Sequence, residues 1–121
     1  MEYKFSFEKL IVWQNSRKLV KEIYDITDLF PKEERFCIID QLRRAAISIS
    51  SNLAEGSSRT SSKDQAHFTN LAYSSLMEVL NQLYIADDLN YISKEKLADL
   101  KIKISEISNQ LNALRNSQLN K

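Results

Sequence analysis

One glycine, Gly56, and one proline, Pro31, punctuate the 121 residues of this chain. Strand-rich folds need turn formers about every eight to twelve positions, so an all-β architecture is excluded. Long helices joined by a few polar residues remain. A chain of this length is expected to form one domain spanning residues 1–121.

Apolar periodicity predicts four helices, over about 7–29, 32–55, 62–89 and 94–116. Val12, Trp13, Ser16, Leu19, Val20, Ile23, Ile26, Thr27 and Phe30 mark a broad face on the first, which Phe30-Pro31 ends. Glu33 and Glu34 suit the positive end of the second helix, whose seam is Ile39, Leu42, Ala46, Ile49 and Leu53. Gly56 is expected to stop it as a left-handed cap. Ser62 and Gln65 read as a capping box for the third helix, with a seam of Thr69, Ala72, Leu76, Val79, Leu83 and Ala86, and Phe68, Leu71 and Leu80 beside it. Asn90 ends that helix and Ser93 caps the fourth, whose seam is Leu97, Leu100, Ile104, Ile107, Leu111 and Leu114. Short connections favour antiparallel neighbours, which gives an all-α, up-down-up-down four-helix bundle.

Seventeen basic and sixteen acidic residues leave a net charge of +1. Residues 61–92 carry one base against four acids, and residues 93–121 carry six bases against three. The basic fourth helix is therefore expected to pair with the acidic third. The lone Cys37, among Phe36, Ile38 and Ile39, reads as a buried small hydrophobe in a reducing compartment. Leu10 to Trp13 is too short an apolar run for a signal core or a membrane span, which points to a cytoplasmic protein with no membrane partner.

Catalytic and metal readings fare poorly. Asp64 and His67 share a helical face at ligand spacing, but carboxylate-bridged metal bundles use two such pairs and the chain has one histidine. Arg59 and His67 have seven residues between them, lie across a predicted helix start and do not make the pair of HEPN-type helical ribonucleases. One glycine cannot build a phosphate-cradling loop. No catalytic residue, cofactor or metal is expected; Glu55, Glu78 and His67 in a cleft between chains rank last.

The second helix carries an unusual polar stripe. Gln41, Arg44, Ser48, Ser51 and Glu55 follow 3-4 spacing with Asn52 alongside. A solvated face is normally filled with Lys, Glu and Arg, whereas this one has small side chains that admit another helix closely. Glu55 opposes the helix dipole in the last turn and calls for a cation. Arg44 lies about 16 Å along the axis from it, so that pair requires a second chain; Arg59 is the local alternative.

Taken together, FEKLIVWQNSRKLVKEIY, FPKEERF, QLRRAAISISSNLAEGSSR, SLMEVLNQL and LNYIS resemble the 23S rRNA intervening sequence proteins over roughly residues 5–115. Gln41, Arg44, Ala46, Ser48, Ile49, Ser51, Asn52, Ala54, Glu55 and Gly56 fall on the signature, with Trp13, Pro31, Glu34, Arg35, Ser75 and Glu78. The resemblance implies an antiparallel four-helix bundle assembled as a ring-like homopentamer without enzymatic activity. The chain is also similar to the pentameric accessory protein of diversity-generating retroelements, which binds nucleic acid and reverse transcriptase. Ser50 replaces a usual proline, which implies a straighter second helix, and Asn90 replaces a usual glycine. The expected function is a homo-oligomeric binding or scaffold protein for RNA or DNA, with Arg43, Arg59, Lys101, Lys103 and Arg115 as contacts. The alternative is an adaptor for a nucleic-acid-processing protein.

Overall fold

The computed structural model describes residues 4–121; residues 1–3 of the expected domain lie outside it. Four helices run in sequence: α1 (Ile11–Thr27), α2 (Ile38–Ser57), α3 (Ser62–Asp88) and α4 (Lys94–Leu119). Each packs on the next and α4 closes more sparsely on α1, while the diagonal pairs keep their backbones apart. Side-chain bonds from Asn15 to Gln110, Ser75 to Ser48 and Arg115 to Asn70 fix the antiparallel register. The bundle expected from the periodicity is present.

The seams of α2, α3 and α4 form its centre. Leu42, Ala46, Ile49, Leu76, Val79, Leu83, Leu100, Ile104, Ile107 and Leu111 are almost wholly removed from water, together with Leu19 and Ile23 of α1. Leu71 and Leu114 depart from the expected core, being exposed and half-buried respectively.

Helix ends follow local hydrogen bonding more than apolar period. The first helix starts four residues later than expected. Ser6–Lys9 form a 3-10 turn in which the Glu8 carboxylate accepts from the Phe5 N–H at 2.7 Å, and Leu10 is extended. At its other end, Leu29 and Phe30 donate to Ile26 and Thr27 in a tightened last turn, because Pro31 disfavours helix at the residue before it. Pro31 is followed by a second 3-10 turn, Lys32–Glu34, so α2 begins at Ile38 and not at Lys32. Cys37, at the non-helical junction, is exposed, which corrects the buried reading. Ser61, one residue before the expected Ser62, caps α3 by accepting from the Asp64 N–H at 3.1 Å. Gln65 instead donates to the Arg59 carbonyl at 2.9 Å. Asn90 is left-handed, with φ 62°, and closes a Schellman turn through Tyr91 N–H to the Ala86 carbonyl at 2.8 Å. Ser93 caps α4 as expected. Helix α4 runs to Leu119 because buried Gln118 accepts from the Thr69 hydroxyl at 2.7 Å, a polar contact that an apolar seam does not reveal.

Gly56 is the main correction. It is not a left-handed cap: its φ is not positive, it is buried, and it lies inside α2, which continues to Ser57. A Cβ built there would stand 2.6 Å from Cβ of Phe68 on α3. The glycine lets the two helix backbones meet. Substituting Gly56→Ala gains about 1 kcal/mol of helix propensity but forces apart atoms fixed to both backbones, an overpacking cost of about 1–3 kcal/mol. Because Cβ of Phe68 cannot rotate away, the net effect is a loss. Denaturant unfolding should show Gly56→Ala destabilised and exposed Ser51→Ala unchanged or slightly stabilised; a stabilised Gly56→Ala contradicts the close contact.

Candidate nucleic-acid interface

The polar stripe of α2 divides into two parts. One part faces α3 of the same chain. Ser75 donates to Ser48 at 2.9 Å, Asn52 donates to the Ser48 carbonyl and hydroxyl at 2.9 and 3.0 Å, and Gln82 donates to Gln41 at 3.3 Å. Oε1 of Gln82 is buried with no hydrogen-bond partner among the described residues. The small side chains thus serve an intramolecular approach, and Gly56 completes it. The other part, Arg44, Ser51 and Glu55, faces outward, as does Glu78 of α3. Arg44 pairs with Asp40 one turn away at 3.0 Å, and neither Arg44 nor Arg59 forms an ion pair with Glu55.

The five basic residues expected to touch nucleic acid do not form one patch. The Arg43 guanidinium is committed to the fold: it donates to Thr27 Oγ1 at 2.9 Å and to Asp28 at 2.8 Å, and lies 4.4 Å from the centre of the Tyr24 ring. Lys103 bridges Glu22 of α1 and Asp99 of α4, and its hydrogen bond to Glu22 lifts its pKa above the usual lysine value. Lys101 lies over Tyr84 on the same half of the bundle. Arg59 and Arg115 sit at the opposite end, Arg115 held by Asn70 and Asn112 at 3.0 Å each.

Folding the chain into hairpins sorts its charge in a way the linear segments hide. The Ser48–Ser75 bond lies at mid-length of α2 and α3, so residues 4–19, 48–75 and 107–121 form one half of the bundle, and residues 20–47 and 76–106 the other. The first half holds eight bases (Lys4, Lys9, Arg17, Lys18, Arg59, Lys63, Arg115 and Lys121) against three acids (Glu8, Glu55 and Asp64), a net +5. The second holds nine bases against twelve acids, a net −3. Antiparallel helix dipoles largely cancel, so side chains set this polarity.

Pairing sharpens the contrast. Every ion pair among the described residues lies in the acidic half: Lys21–Asp25, Arg43–Asp28, Arg44–Asp40, Lys94–Asp87, Lys96–Asp99, and Lys103 with Glu22 and Asp99. In that half, partial desolvation and then Glu34 and Glu33 raise the Tyr91 hydroxyl above its usual range. Among the described residues the cations of the basic half form no ion pair with a carboxylate. Arg17 and Lys18, with Gln14 and Lys21, also line a groove of about 390 Å³ on α1. Sequence reading passed over Lys9, Arg17 and Lys18, although no acid interrupts residues 9–21.

The 23S rRNA-intervening sequence protein family matches residues 8–113. The chain belongs to the 23S rRNA-intervening sequence protein family. A similar solved structure is a protein of unknown function from the S23 ribosomal protein family of Bacteroides thetaiotaomicron VPI-5482, with a TM-score of 0.80 at 21% identity, covering 88% of this chain and 96% of that one. At that identity the likeness establishes the shared fold. No match is found among curated proteins.

Among the described residues of this family member, no three His, Cys, Asp or Glu side chains come together to hold a metal ion, and no helix is long and apolar enough to cross a membrane. His67, Glu55 and Glu78 are each exposed, with the His67 ring edge-on to Phe68. Arg43 and Lys63 should separate fold from surface. Removing the Arg43 side chain breaks charge-assisted bonds joining α1 to α2, so Arg43→Ala should cost about 1–3 kcal/mol in denaturant unfolding. Lys63→Ala should stay within about 0.5 kcal/mol of the parent. Equal effects contradict the division.

Proposed function

We propose that this chain is a non-enzymatic, homo-oligomeric binding or scaffold protein for RNA or DNA, and that nucleic acid meets it at the basic end. The observation that carries this reading is the separation of +5 from −3 along the bundle, with every ion pair among the described residues in the acidic half. Unpaired cations on one surface attract phosphates and release their counterions, whatever the net charge of the chain. Self-association, up to the ring-like pentamer that the family resemblance implies, is supported by the outward Arg44, Ser51 and Glu55 of α2 and by exposed Leu71 and Ile85 of α3. An exposed Cys37 thiol suits a reducing, cytoplasmic setting.

A second reading, an adaptor for a nucleic-acid-processing enzyme such as a reverse transcriptase, is favoured by the acidic end. Leu29 and Phe36 there are 83% and 84% exposed, more than a solitary fold needs.

Binding to 23S rRNA fragments, followed against salt, tests the first reading. Affinity should fall steeply with salt, and Lys18→Ala/Lys63→Ala should lower the log–log slope by about two. Lys32→Ala/Lys101→Ala, equal in charge change but placed in the acidic half, should leave it unaltered. A flat salt response, or loss through the second pair alone, overturns the reading. Light scattering should give a multiple of the 14.1 kDa chain, with Arg44→Ala shifting it toward monomer. A monomer at micromolar concentration contradicts assembly.

A further inference from the structure

Two arginines of the basic end lie over aromatic rings. The guanidinium carbon of Arg59 lies 4.7 Å from the centre of the Phe68 ring, and that of Arg17 lies 5.5 Å from the centre of the Trp13 ring. Neither arginine forms an ion pair among the described residues. The two pairs flank the C-terminal half of α2. Phe68 touches α2 at Gly56 on the α3 side. On the other side Trp13 meets Phe7 edge-on at 4.9 Å, within a 3-10 turn that rests on both α1 and α2.

Both sites are pre-set. The Arg59 N–H donates to the Gly56 carbonyl at 3.1 Å, its carbonyl accepts from Gln65, and Ser61 caps the helix that follows. Trp13 is half-buried against the core, so the surface under Arg17 does not shift with solvent. A guanidinium over a ring spends no hydrogen bond on it and keeps its edge donors available.

A basic surface alone would serve any polyanion. Planar cations backed by aromatic rings serve a narrower class, because an unstacked base can lie on the guanidinium plane while its phosphate meets the edge donors. The stacked bases of a duplex offer no such face.

We infer that the nucleic acid recognised at the basic end is single-stranded, and that Arg17 and Arg59 contact its bases as stacking planes in addition to its phosphates. This rests on the nucleic-acid reading above and narrows it to a ligand class.

The test compares single-stranded RNA and DNA oligonucleotides with duplexes of the same sequence at fixed low salt. Binding is read by anisotropy of a labelled strand and by emission of Trp13, the chain's one tryptophan. The variant is Arg17→Lys/Arg59→Lys, which keeps both charges and removes both planes. One or both single strands should bind about tenfold more tightly than their duplexes and change Trp13 emission. The lysine variant should lose that advantage while its duplex affinity and salt slope stay as in the parent, with thermal melting confirming the fold. Duplex binding as tight as single-strand binding, or an unaltered single-strand affinity in the variant, overturns this inference and leaves the basic end as a phosphate-binding surface. Failure of every oligonucleotide to bind removes the nucleic-acid reading as well.

Discussion

The close approach of α2 and α3 is the contact on which the rest of the molecule depends. Gly56 gives Phe68 room, and Ser48, Ser75 and Asn52 keep the seam shallow while satisfying one another's hydrogen bonds. Small polar residues cost a helix some intrinsic stability, and here that cost is offset by a backbone separation that larger side chains would forbid. The connection between these helices is fixed by the same contact. Arg59 is consequently held over Phe68 on a pinned turn, and the chain's most unusual segment becomes both a packing device and the support of a surface.

Antiparallel topology then does what net charge conceals. Each helix runs through both ends of the bundle, so bases and acids far apart in sequence are brought level in space. At the acidic end six of the nine cations are in ion pairs, and some of these tie helices together, as Arg43 ties α2 to Asp28 and Lys103 ties α4 to Glu22. The basic end has few carboxylates to consume its cations. Exposed surface pairs contribute little to stability, so the more consequential result is the electrostatic contrast between the ends.

The core was legible in the sequence because a 3-4 apolar period has one interpretation in a chain almost without turn formers. Asn90 and Ser93 were legible for a similar reason, since each has a side chain or backbone preference that suits one cap. Gly56 was misread because a glycine after a helical run has two uses, and only the position of Phe68 on another helix distinguishes a cap from a close approach. The starts of α1 and α2 were misplaced where 3-10 turns, with Glu8 bonding to Phe5 N–H in the first, satisfied groups that periodicity assigned to longer helices. Arg43 looked like a surface cation because its partners Thr27 and Asp28 lie across a helix seam. The charged ends could not be seen in linear segments, which average over both.

Nucleic acid is placed at one end of the bundle, so amide hydrogen exchange with and without a bound single-stranded oligonucleotide locates it. Added protection is expected around residues 9–18, 56–67 and 112–121, and unchanged exchange over 28–44 and 84–101. Protection concentrated in the latter segments, at the acidic end, would contradict that placement.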